Sequence, residues 1–135
     1  MLNGFYKKMK IEHIAIRVNN LNEMIDFYVK YFDGKAGEIY SNHQKQFKSC
    51  FISFDENCRL ELMTGPDMKN RLEDKNIIGI THLAISVGSK EKVNQLTERL
   101  RKEGVTIVSN PRTTGDGYYE SVIFDPEGNF IEITI

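Results

Sequence analysis

Four residues stand out by type and spacing: His13, Glu61, His82 and Glu132. Histidine and glutamate are 48 residues apart in the first pair (13 to 61) and 50 in the second (82 to 132). Two imidazoles and two carboxylates meeting on one surface form an N2O2 set for a divalent cation. The carboxylates neutralise the ion; without it they repel each other in a partly dry pocket. Zn, Ni, Co, Mn and Fe(II) all accept such a set, with open positions left for water or substrate oxygens. A lone strand histidine, or a Leu-Glu-Leu run, is ordinary solvated sheet surface. The same pair occurring twice is what points to a metal. His43 has no counterpart in the second half and reads as a solvated histidine.

The elements that must carry these residues also repeat. "IEHIAIRV" (residues 11–18) matches "ITHLAISV" (residues 80–87), and "ISFDENCRLELMT" matches "VIFDPEGNFIEIT", with one extra residue in the second turn. Ile14, Ile16 and Val18 alternate with His13, Ala15 and Arg17, so the first strand is half-buried with His13 on its polar face. Leu21, Met24, Ile25, Tyr28 and Phe32 then follow a helical period. An asparagine from the group Asn19, Asn20, Asn22 caps the start of this helix, and Gly34 suits its end. Strands are expected near residues 36–41, 47–54 and 59–63. The second half repeats the order: a strand at 80–87, then a helix from Ser89 to a stop at Gly104. Strands near 105–109, 118–124 and 130–135 complete it. Each half reads βαβββ. The implied fold is α+β: two tandem modules, residues 1–64 and 80–135, joined by a linker at 65–79. They form a cupped mixed sheet, joined edge to edge, with helices outside. Parity puts all four candidate ligands on the face away from the helices.

Composition bounds the alternatives. The chain has 135 residues, 40% apolar and 27% charged, with a formal net charge of -1. No basic stripe speaks for nucleic acid. No apolar run approaches a membrane span. Residues 1–10 lack the apolar segment of a secretory signal. Cys50 and Cys58 are too few for a disulfide scaffold and read as reduced thiols in a cytoplasmic protein.

Around the four residues, aligning Phe54 with Phe124 puts Phe47, Phe51, Tyr119 and Ile123 on the ligand side, with Met63 beside Glu61. They form an apolar wall for a small-molecule substrate, or simply pack the sheet. Residues 109–119, with Gly115 and Gly117, read as a mobile lid on which Arg112 meets an anionic substrate. The segment lacks the Gly-Lys-Ser/Thr ending of a phosphate loop.

The duplicated modules, the run "IEHIAIRVNNLNEMIDFYVKYF" and the ending "VIFDPEGNFIEI" resemble the vicinal oxygen chelate superfamily. Its members include glyoxalase I, fosfomycin-resistance proteins, extradiol dioxygenases, methylmalonyl-CoA epimerases and bleomycin-resistance proteins. The resemblance implies metal ligands on the first and last strands of each module, at His13, Glu61, His82 and Glu132. Glutamate at 61 is most similar to the His-Glu-His-Glu pattern of glyoxalase I. Arg17 then resembles an arginine that holds a substrate carboxylate; its other reading is a solvated cation at a strand end. Glu132 is implied as the catalytic base and Glu61 as its mirror-related partner. The implied reaction isomerises an α-hydroxycarbonyl unit through an enediolate, as when the hemithioacetal of methylglyoxal and a thiol becomes a lactoyl thioester. The alternatives are an Fe(II) extradiol-type dioxygenase and a non-catalytic small-molecule binder. Resemblance also implies a homodimer with sites at its interface, although the linker permits the cup to close within one chain or between two.

Overall fold

The computed structural model describes residues 9–55, 57–71 and 76–135. The expectations for the N-terminal stretch 1–10, the turn at 55–57 and the linker 65–79 fall partly outside these residues. The first module contains β1 (His13–Arg17), α1 (Leu21–Phe32), β2 (Lys35–Ala36), β3 (Tyr40–Asn42), β4 (Phe47–Asp55) and β5 (Cys58–Thr64). The second contains β6 (His82–Ser86), α2 (Lys90–Lys102), β7 (Ile107–Thr113), β8 (Tyr119–Phe124) and β9 (Phe130–Thr134). The strand orders are β1-β5-β4-β2, with β3 also on β4, and β6-β9-β8-β7. In both sheets the first strand pairs parallel with the last, and the other pairings are antiparallel. The α+β fold of two tandem βαβββ modules is thus what the chain adopts.

Local chemistry accounts for the helix ends. Asn20 caps α1, its side chain accepting from the Glu23 N–H at 3.1 Å. The helix ends at Asp33, which is left-handed at φ 53°, and not at Gly34. Gly34 matters for space instead. A Cβ there would meet Ile52 Cγ2 at 2.4 Å, so only glycine lets α1 leave so close to β4. Ser89 caps α2 through the Lys92 N–H. Gly104, at φ 85°, turns the chain so that the Val105 N–H reaches the Leu100 carbonyl at 2.9 Å.

Two expected elements differ. The single strand foreseen at 36–41 is split into β2 and β3, although the Gly37 N–H still bonds the Phe51 carbonyl at 2.9 Å. The foreseen lid at 109–119 is mostly strand: β7 runs to Thr113 through two register shifts that absorb Pro111 at the sheet edge. Only 114–118 turns. It is closed by Thr114 N–H to the Tyr118 carbonyl (2.7 Å) and Tyr118 N–H to Thr114 Oγ1 (3.0 Å).

One core runs through both modules. Met24, Phe27, Tyr28 and Phe32 of α1 share it with Ile52, Leu60 and Leu62, and Val93 and Leu100 of α2 with Ile123, Ile131 and Ile133. The edge-to-edge joining of the sheets is not made by a backbone ladder within the described residues. The modules meet instead through side chains. Tyr28 Oη donates to Asp125 Oδ2 at 2.8 Å in the interior. Burial, and then the Asp125 charge, raise the Tyr28 pKa and keep its hydroxyl protonated. The Glu127 carboxylate accepts from the backbone N–H groups of Asn19 (2.7 Å) and Asn20 (2.9 Å), where the positive end of α1 welcomes an anion. Glu103, at the end of α2, meets Lys30 at 2.8 Å and the Tyr31 hydroxyl, which together hold its carboxyl down at about 2.

Tyr28→Phe removes a donor from a buried carboxylate without changing shape. Urea unfolding should show a loss of about 1–3 kcal/mol with an unchanged m-value. A loss within error would mean that this bond does not hold the modules together.

Candidate functional site

The parallel pairing of first and last strands places the candidate ligands. His13 stands opposite Arg59 and Ala15 opposite Glu61; likewise His82 stands opposite Phe130 and Ala84 opposite Glu132. Partners across a ladder share a face. Each histidine is therefore a diagonal neighbour of its glutamate, with an alanine methyl beside it. Ala15 and Ala84 are site features that sequence reading passed over; their signal was the same His-X-Ala in both repeats. Leu60 and Leu62, and Ile131 and Ile133, point the other way into the core. This alternation aims Glu61 and Glu132 outward.

The two pairs have nearly the same separation. His13 Nε2 lies 3.4 Å from Glu61 Oε2, and His82 Nε2 lies 3.2 Å from Glu132 Oε2. Histidine side chains are 37% and 39% exposed, and glutamates 17% and 22%. These separations exceed a charge-assisted N–H···O contact of about 2.7–2.9 Å. Two ligand atoms each about 2.1 Å from one cation would lie roughly 3.0 Å apart at an octahedral angle and roughly 3.4 Å apart at a tetrahedral one. The donor sets fit a divalent ion on distance as well as chemistry. Among the described residues, however, no group of three or more His, Cys, Asp or Glu side chains is close enough to hold one ion. Each His is brought to its Glu, but the two pairs are not brought together within one chain.

The first pair is further supported. His13 Nδ1 bonds the Glu12 carboxylate, whose other oxygen takes the Arg59 guanidinium. His13 first, and then Arg59, lower the Glu12 pKa. The Arg59 guanidinium lies 4.1 Å from the Phe51 ring centroid. That ring meets His13 edge to face at 5.2 Å.

Other expected site residues divide. Phe51 is in register with Glu61, and Met63 with Arg17, so these lie on the ligand face. Arg17 is exposed there. Arg112 is in β7 opposite Glu120, its Nε 3.2 Å from Ser109 Oγ, and not on a loop. Tyr119 and Ile123 belong to the opposite face. Ile123 is fully buried in the core, and Tyr119 packs against α2, its hydroxyl 2.5 Å from Asn94 Oδ1 and the Lys90 ammonium 4.7 Å from its ring centroid. The cause is the bulge in β4: five residues separate Ser53 from Arg59, as five separate Phe124 from Phe130, so Phe124 answers Ser53, while Phe54 lies in the irregularity between Ser53 and Asp55. Val122 is the partner of Glu132 as Phe51 is of Glu61, ten residues earlier in each hairpin, so aligning Phe54 with Phe124 misplaces β8 by one. A one-residue shift exchanges the faces of a strand.

The same register puts Glu120 on the ligand face, a residue that sequence reading missed. Aligning the two hairpins on Glu61 and Glu132, instead of on Phe54 and Phe124, would have found it. Burial, and then proton sharing with Glu132, push the Glu120 carboxyl up to about 6, and Arg112 opposes the rise.

The sequence model of the Glyoxalase/Bleomycin resistance protein/Dioxygenase superfamily matches residues 10–133. Comparison with curated protein sequences gives no match. Solved structures with a similar fold include glyoxalase I from Zea mays (TM-score 0.77, 22% identity), which covers 93% of this chain. The chain spans less than half of that enzyme, 44% of its length. The trypanothione-dependent glyoxalase I of Leishmania major superposes with a TM-score of 0.74 at 23% identity, over 94% of this chain and 86% of that one. A glyoxalase family protein from Enterococcus faecalis gives 0.77 at 23% identity, over 97% and 99%. At these identities the likeness is one of fold.

A carboxyl raised from its ordinary value of 4.5 to about 6 binds its proton more tightly in the folded chain. Metal-free protein should therefore lose stability as pH rises through that window, then level off. Glu120→Gln should flatten this part of the curve and be the more stable protein above it, as read by denaturation midpoints across pH. Identical curves for the two proteins would contradict the assignment.

Proposed function

Because the chain belongs to the Glyoxalase/Bleomycin resistance protein/Dioxygenase superfamily, we propose that it is a metal-dependent lyase or isomerase of glyoxalase type. Its substrate class is a small α-hydroxycarbonyl compound, or the hemithioacetal of an α-ketoaldehyde and a thiol. The observation that carries this reading is the duplicated His–Glu pair, spaced at 3.4 and 3.2 Å on equivalent strands.

A divalent cation held by His13, Glu61, His82 and Glu132 would supply Lewis-acid stabilisation of the negative charge that develops on two adjacent substrate oxygens. Glu132 takes the proton from the carbon beside the carbonyl, leaving an enediolate. Glu61, at the mirror position, takes up the substrate's hydroxyl proton and hands a proton to the neighbouring carbon, and Glu132 passes its proton to the other oxygen; one proton has then moved between the carbons and one between the oxygens, and both carboxylates end as they began. Arg17, two residues beyond Ala15 on the same strand face, offers its guanidinium to a substrate carboxylate. Phe51 and Met63 form the apolar side of the cleft. Arg112 faces Glu120, so an anionic substrate meets a compensated charge there.

The site is assigned to a homodimer, each complete set taking its first pair from one chain and its second from the other. Two features support this. Neither chain alone assembles three ligands among the described residues. β1 and β6 are both edge strands, and exposed apolar residues lead into each: Met9 and Ile11 before β1, and Ile77, Ile78 and Ile80 before β6. Apolar groups flanking an unpaired strand edge favour association with another copy.

Glu132→Gln should retain the metal and lose about 10²–10⁴-fold in turnover of methylglyoxal with glutathione or another thiol. Oxygen uptake with a catechol, in place of hemithioacetal turnover, would transfer the protein to the dioxygenases. Failure to take up any divalent metal would leave a binding protein.

Shared sites make a second prediction. His13→Ala and His82→Ala proteins are each inactive. Unfolded together and refolded at equal concentration, they should recover about a quarter of the wild-type activity, because half the dimers are mixed and one of their two sites is intact. A site within one chain recovers nothing.

A further inference from the structure

The two half-sites share their ligands but not their support. The register that puts Arg59 opposite His13 puts Phe130 opposite His82. The residue before His13 is Glu12; the residue before His82 is Thr81. Around His13 the contacts close into a ring: imidazole Nδ1 to one Glu12 oxygen, the other oxygen to Arg59, Arg59 over Phe51, and Phe51 edge-on to the imidazole. Both oxygens of Glu12 are engaged, and both ends of Arg59's path are fixed.

An imidazole that is to bind a cation through Nε2 must keep its proton on Nδ1. A neutral imidazole chooses its tautomer by the hydrogen bond made at the other nitrogen. A carboxylate at Nδ1 selects the proton there, and leaves a bare, more basic Nε2. His13 Nε2 is the atom that faces Glu61, at 3.4 Å. A salt-bridged and stacked arginine holds that carboxylate in place before any ligand arrives, so less ordering is left to be done on binding. Phe130, opposite His82, has no charge with which to hold a carboxylate.

We infer that Glu12 is a positioning residue for His13, braced by Arg59 and Phe51, and that it makes the first module the preorganised half of the site. The role in metal binding rests on the function proposed above; the effect on the imidazole does not.

Two measurements on the full-length protein test it. The first uses metal-free, 15N-labelled protein at about pH 8, where an unperturbed imidazole is neutral. Two-bond 1H–15N spectra should show His13 as the Nδ1–H tautomer. In Glu12→Ala it should revert to the mixture of a free imidazole, in which Nε2–H dominates, and Glu12→Gln, which keeps an acceptor, should restore part of the wild-type pattern. The second is competition for Co2+ or Zn2+ against a chromophoric chelator. Glu12→Ala should weaken binding about 10–100-fold, whereas Thr81→Ala leaves it unchanged. A His13 that is Nε2–H in the wild type, or the same in Glu12→Ala, overturns the inference. So does metal affinity equal in Glu12→Ala and wild type. Should the wild type take up no metal, the proposed function fails, and the tautomer measurement still decides the role of Glu12.

Discussion

Four donors surround the carboxylate of Asp125, and the arrangement of the two modules depends on them. The Glu127 and Asn129 N–H groups reach one oxygen at 3.0 and 2.9 Å. The Asn129 amide and the Tyr28 hydroxyl reach the other, each at 2.8 Å. Three of the four belong to its own turn, which is thereby shaped; the fourth comes from α1 of the other module. A buried carboxylate left short of donors is costly, so the turn and the helix must meet in one way. Glu127 then takes the N–H groups before α1. The short run Asp-Pro-Glu-Gly-Asn is thus a clamp between modules as well as a turn between strands.

That clamp has a consequence for the chemistry. It fixes the modules through helix and turn, on the side of each sheet opposite the histidines and glutamates. The ligand faces are left open, each with two donors. Two His–Glu pairs built alike and held apart in one chain suit the shared site proposed above. The exposed apolar residues before β1 and β6 fit the same picture.

Duplication explains the sameness of the two pairs, and the side chains at equivalent positions explain their difference. The parallel first-to-last strand pairing keeps His, Ala and Glu in the same register in both modules. β8 and β9 pair in the same register as β4 and β5, so Phe51 is answered by Val122 and Ser49 by Glu120. The first face gains Arg17 and Arg59, the second Glu120. The two His–Glu pairs therefore sit in different surroundings.

Periodicity and repetition in the sequence were enough to find both modules, both helices, the Ser89 cap and a cap within the group Asn19, Asn20, Asn22, and the strand faces that bear His13, Glu61, His82 and Glu132. These are properties of neighbouring residues, set by side-chain alternation and local hydrogen bonding. Three things were beyond it. Tyr119 was assigned to the ligand face because parity across a turn depends on how the turn is bulged, which the backbone settles only once it pairs. Glu12 and Arg59 are 47 residues apart, and nothing local announces that they meet. The joining of the two modules uses Tyr28, which reaches Asp125 across 97 residues. Contacts of that range exist only when the whole core has closed, so the tertiary structure alone could decide them.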